Sequence, residues 1–66
     1  MSEMPVIGRV VRDSQNECLI KRGKYWNIDV IDIRWHGSGG KPTRKGIRLN
    51  IEEAKILIDI LRRELE

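Results

Sequence analysis

Basic residues interleaved with aromatic ones are the strongest chemical signal in the sequence. Lys21, Arg22, Lys24, Tyr25 and Trp26 fall within six residues, Arg34, Trp35 and His36 follow, and Lys41, Arg44, Lys45 and Arg48 come next. Lysine and arginine can follow a phosphate backbone while rings stack on unpaired bases, at about 1–3 kcal/mol per base, so the pattern suits a single-stranded nucleic acid. Duplex binding would use the cations and leave the aromatics without a role. The blander alternatives are that both tryptophans are core and that Arg22 and Lys24 are solvated turn residues.

Other chemistry has less support. Asp29 and Asp32 would make a carboxylate pair only if a bulge brought them to one face, since strand alternation separates them. His36 beside a glycine loop has the chemistry of a general base. It has no nucleophile at a recognisable spacing, and a lone loop histidine is ordinarily solvated. Cys18 within an apolar run reads as a small core residue. The glycines before Lys41 fail as a phosphate loop, because Trp35 stands where the first glycine belongs and Pro42 follows the lysine. The expectation is a protein that is not an enzyme. One cysteine and one histidine cannot supply a structural zinc site, so no metal or cofactor is implied.

These residues have to be positioned by a small scaffold. The chain has 66 residues, enough for one domain (1–66). Valine and isoleucine at 6–12, the polar turn 13–16, the apolar segment 17–22 ending at Gly23, the β-prone run 25–36, and 47–50 after a glycine-containing loop read as four antiparallel strands. Ile31, Ile33 and Trp35 share one face of the third run, with Asp32, Arg34 and His36 on the other. Trp26, Ile28 and Val30 have the opposite parity to the first set. Either a bulge lies between Val30 and Ile31, or both faces are covered at different ends of a curved strand. Ile47 and Leu49 point inward, placing Arg44 and Arg48 outward with Gly46 between them.

Residues 51–65 read as a helix. Asn50 and Glu53 approximate a capping box, and Ile51, Ala54, Leu57, Ile58, Leu61 and Leu65 form one apolar stripe. Ile56 and Ile60 fall outside that stripe and need a second surface. A symmetric dimer through the helix, with Ile56, Leu57, Ile60 and Leu61 in the interface, supplies one; packing beneath the 37–40 loop is the alternative. A chain this short buries only about 60% of its unfolded surface and has no disulfide, which also favours a partner subunit. The fold class expected is α+β: a curved four-stranded antiparallel meander over about 4–50, then a helix that mediates a homodimer.

The net charge of +3 divides unevenly, with +5 over residues 1–50 and −2 over 51–66. That division assigns an anionic partner to the sheet rather than the helix. No apolar run of membrane-spanning length and no signal peptide are visible, and an unpaired cysteine suits a reducing compartment, so an intracellular protein without a membrane partner is expected.

Ile31-Asp32-Ile33-Arg34, then Lys41-Pro42-Thr43-Arg44-Lys45-Gly46-Ile47, then Leu49-Asn50 opening a helix form a more specific pattern. It resembles the single-stranded DNA-binding domain of the transcriptional coactivator positive cofactor four family, well over residues 28 to about 60 and only in general pattern before 24. The resemblance implies a curved four-stranded sheet, dimerisation through the helices, and grooves that bind unpaired or melted DNA with little sequence preference. It carries binding roles to Arg34, Lys41, Arg44, Lys45 and Gly46, and it raises the transcription machinery as a partner. The family's tryptophan lies three residues after the arginine, whereas Trp35 follows Arg34 directly. The full set expected to meet nucleic acid adds Lys21, Arg22, Lys24, Trp26, Trp35 and Arg48, with Gly46 allowing close approach of the DNA. The alternatives are a small dimeric protein-interaction adaptor and a single-stranded RNA-binding protein.

Overall fold

The computed structural model describes residues 4–66. Four strands, β1 (Val6–Val11), β2 (Glu17–Tyr25), β3 (Ile28–His36) and β4 (Pro42–Asn50), precede one helix, α1 (Ile51–Leu65). The strands are antiparallel neighbours in chain order, so the sheet is a meander.

The β2–β3 hairpin corrects two sequence expectations. Gly23 does not end the second strand, and the third does not begin at Tyr25. Pairing continues without a break from Glu17–His36 to Tyr25–Ile28, and the chain reverses on Trp26 and Asn27. Both have positive φ (53° and 63°), as a two-residue turn matching the twist of its strands requires. Asparagine tolerates that region; a tryptophan there is costly, and no glycine marks the turn in the sequence. Gly23 serves packing instead, since a Cβ on it would come within 2.5 Å of Met4 Cγ.

The unbroken β2–β3 register also removes the bulge considered between Val30 and Ile31. Directly paired residues share a face. Lys21, Gly23 and Tyr25 therefore lie with Ile28, Val30, Asp32, Arg34 and His36, while Cys18 and Ile20 lie with Ile31, Ile33 and Trp35. Both faces take part in burial: Val30, Asp32 and His36 are buried on the first and Cys18 on the second. The irregularities of register fall elsewhere, between Val6 and Gly8 of β1 and between Arg34 and His36 of β3.

The cap of α1 forms as expected. Asn50 Oδ1 accepts from the Glu53 amide and the Asn50 amide donates to Glu53 Oε1, each at 2.9 Å. Glu52 and Glu53 occupy the first turn and Arg62 and Arg63 the last, each complementing the helix dipole. Packing departs from expectation. The helix meets β3 and β4, but only Ile51, Ala54 and Leu57 are half-buried and none of its residues is buried. Ile58, Leu61 and Leu65, assigned to the inward stripe, are as exposed as Ile56 and Ile60. Among the described residues the buried apolar set is Cys18 and Val30, and no side chain is fully enclosed. No helix among them is long and apolar enough to cross a membrane.

Candidate nucleic-acid interface

The face carrying Val30, Asp32 and His36 forms an open groove of about 950 Å³. Across its middle, three strands set Lys21, Asp32 and Arg48 in one row, because Lys21 pairs with Asp32 and Asp32 with Arg48. Arg34 is the next residue along β3 on that face and His36 the one after it. Lys24, Tyr25 and Trp26 border the groove at the β2–β3 turn, and Met4 and Pro42 complete its lining. Lys21, Lys24, Arg34 and Arg48 thus line a groove that holds one carboxylate, that of Asp32.

That carboxylate is 5% exposed and fully engaged. Arg48 Nε lies 3.2 Å from Asp32 Oδ1 and Arg34 Nε 3.6 Å from Oδ2. Arg34 Nη1 also donates to the Thr43 carbonyl at 2.9 Å, across the irregular start of β4. Thr43 itself is held by its hydroxyl donating to the Trp35 carbonyl at 2.7 Å. Gly46 stands opposite Arg34, and a Cβ there would lie 2.9 Å from both Arg34 Cζ and the Ile33 carbonyl oxygen. The space a side chain at Gly46 would take is therefore occupied by the Arg34 guanidinium.

Two aromatic rings stand at the groove's end. The Arg48 guanidinium sits 4.6 Å from the Tyr25 ring centroid, and the Trp26 ring meets Tyr25 edge-on at 6.0 Å and 81°. Trp26 is 80% exposed at the apex of the hairpin. A ring so placed is free to stack on a planar partner.

The structure divides the remaining candidates. Trp35 is paired with Cys18 on the opposite face, half-buried, with the Arg12 guanidinium 4.0 Å from its ring centroid, so it takes no part in the groove. Arg22, paired with Ile31, is also on that opposite face. Lys24 pairs with Asp29 there but still reaches the groove's rim. Lys41, Arg44 and Lys45 are exposed around the start of β4 and do not line the groove. Asp29 and Asp32 remain on opposite faces, as strand alternation requires.

Three groove residues, Tyr25, Asp32 and His36, lie outside the set expected from the sequence to meet nucleic acid. Asp32 and His36 shared a face with Arg34 by simple alternation, which was the available signal. His36 is buried, contrary to the solvated loop residue expected. Its Nδ1 lies 3.1 Å from the Gly40 carbonyl, which can only accept, so Nδ1 is the donor of that hydrogen bond. Among the described residues no three His, Cys, Asp or Glu side chains gather to hold a metal ion. No protein-family model, curated protein or solved structure matches the chain.

Proposed function

We propose that the protein binds single-stranded DNA, unpaired or melted, through the cationic groove of its sheet, and that it acts as a homodimer in transcription regulation or in DNA repair and replication. The observation that carries this reading is the combination of Lys21, Lys24, Arg34 and Arg48 with the exposed Tyr25 and Trp26 rings at one end of an open groove. Cations alone would suit any polyanion; rings beside them suit unpaired bases. The resemblance of the 31–50 segment to the positive cofactor four family supports the same substrate. Arg34 and Arg48 are the principal phosphate ligands, with Lys21 and Lys24 beside them. Lys41, Arg44 and Lys45 extend the cationic track beyond the groove, and Trp26 takes the stacking role in place of Trp35.

Tryptophan fluorescence tests this directly. Titration with oligo-dT should quench Trp26, and the log–log dependence of affinity on salt should have a slope of about −3 per groove, at roughly −0.7 for each phosphate neutralised. Duplex of equal length should bind more weakly. An absence of both quenching and salt-sensitive affinity would reject the reading, and stronger competition by oligo-U than by oligo-dT would redirect it to RNA.

The exposed Ile56, Ile58, Ile60, Leu61 and Leu65 of α1 favour a second reading, an adaptor that recruits another protein through its helix. In the dimer reading a second copy covers this surface. A monomer at all concentrations that ignores oligo-dT would favour the adaptor.

A further inference from the structure

Asp32 is the residue least suited to a surface that attracts a polyanion. Its carboxylate lies in the middle of the cationic row, between Lys21 on one neighbouring strand and Arg48 on the other. It subtracts from the positive field there, and burial at 5% exposure makes an ionised group costly unless it is well paired. The pairing is specific. Each oxygen engages a different guanidinium, Oδ1 that of Arg48 and Oδ2 that of Arg34. Arg34 is anchored a second time, at the Thr43 carbonyl. Arg48 has no such backbone anchor among the described residues; beyond Asp32 it reaches the Tyr25 ring. The Tyr25 ring is therefore covered on one face by a cation and flanked by the perpendicular Trp26 ring, and Tyr25 keeps 49% of its surface exposed for a flat partner.

Resting on the nucleic-acid reading above, we infer that Asp32 is a positioning residue for base stacking: it holds Arg48 against Tyr25, so that the ring offers its open face to one unpaired base. Some attraction for phosphate is given up for that orientation. Arginine suits this arrangement because its planar guanidinium can ion-pair and lie over a ring at once, which an ammonium group cannot do in the same geometry.

The test compares oligo-dT with an abasic oligonucleotide of the same length, which keeps the phosphates and lacks the bases. The wild-type chain should prefer oligo-dT about five-fold or more, the lower end of one stacked base. Asp32→Asn should narrow that preference several-fold while binding the abasic strand as well as or better than wild type, since a negative charge has gone. Arg48→Lys, which keeps the charge and loses the planar group, should narrow the same preference. If Asp32→Asn tightens binding to both strands by one common factor, Asp32 only subtracts charge and the inference fails. It fails equally if Arg48→Lys leaves the preference unchanged, and that variant decides the matter should Asp32→Asn lose its folded circular dichroism spectrum. Wild-type protein that binds neither strand overturns the nucleic-acid reading together with this inference. A wild-type preference unmoved by both variants overturns the role of Asp32 alone.

Discussion

Single side chains in this protein do work that their types alone do not disclose. Gly46 and Gly23 look like strand breakers, yet each lies within a strand because a neighbour, Arg34 or Met4, occupies the space a Cβ would take. Arg34 and Arg48 look equivalent, but one is anchored to backbone and the other lies over a ring. The two tryptophans separate most clearly: Trp35 is half-buried under Arg12, and Trp26 projects from a turn. Replacement of Trp26 with Ala should therefore weaken oligo-dT binding about five- to a hundred-fold, the range of one stacked base. The salt slope should stay unchanged, because no phosphate contact is removed, and relief of positive φ strain by a smaller side chain is not expected. Equal affinity for oligo-dT in the variant and wild type, followed by anisotropy of a labelled oligonucleotide, would remove Trp26 from the site.

At the scale of elements, the turns determine which residues meet. The β1–β2 turn is organised by Asp13, whose carboxylate accepts from the Gln15 amide at 2.8 Å, from the Asn16 amide at 2.9 Å and from the Asn16 side chain. The bond from the Gln15 amide, and then that from the Asn16 side chain, hold the Asp13 carboxyl below its ordinary value of 3.8. A depressed folded-state value means that the unfolded chain takes up the proton first. The turn's contribution is then complete above pH 3.8 and is lost as the pH falls below it. The stability difference between wild type and Asp13→Asn should accordingly shrink on acidification in that range, as read by thermal melts. An Asp13 carboxyl that titrates at or above 3.8 by NMR would contradict the hydrogen-bonding account. The helix cap was legible in the sequence because its partners are three residues apart. The Trp26-Asn27 turn was not, because its residue types do not announce positive φ and only the pairing of β2 with β3 requires it.

The whole molecule is open. Its radius of gyration is 12.8 Å, against about 11 Å for a compact chain of this length. Ile56, Ile58, Ile60, Leu61 and Leu65 of α1 are exposed, and the buried apolar set among the described residues is too small to act as a conventional core. In the dimer reading, a second copy covers this surface and the chain gains stability by association. The melting temperature should then rise with protein concentration, and Ile56→Lys with Ile60→Lys should give monomers of reduced stability. Sedimentation equilibrium reads the outcome: an unchanged mass for the double variant would refute the helix-mediated contact. The charge division matches this arrangement, with the positive balance on the sheet and the slightly negative one on the helix.

The sequence by itself determined the four β-prone segments, the capped helix, the separation of Asp32, Arg34 and His36 from Ile31, Ile33 and Trp35, and the concentration of cations and rings between residues 21 and 48. All of these follow from local spacing, where two-residue or three-to-four-residue periodicity is enough. Only the tertiary structure decided which face became the groove, that Asp32 and His36 are buried in it, that Arg48 lies over Tyr25, and that Trp35 points away. Those outcomes depend on cross-strand partners far apart in the chain, such as Asp32 with Arg48 and Arg34 with Gly46, and on the position of a two-residue turn that sets the register for every pair beyond it.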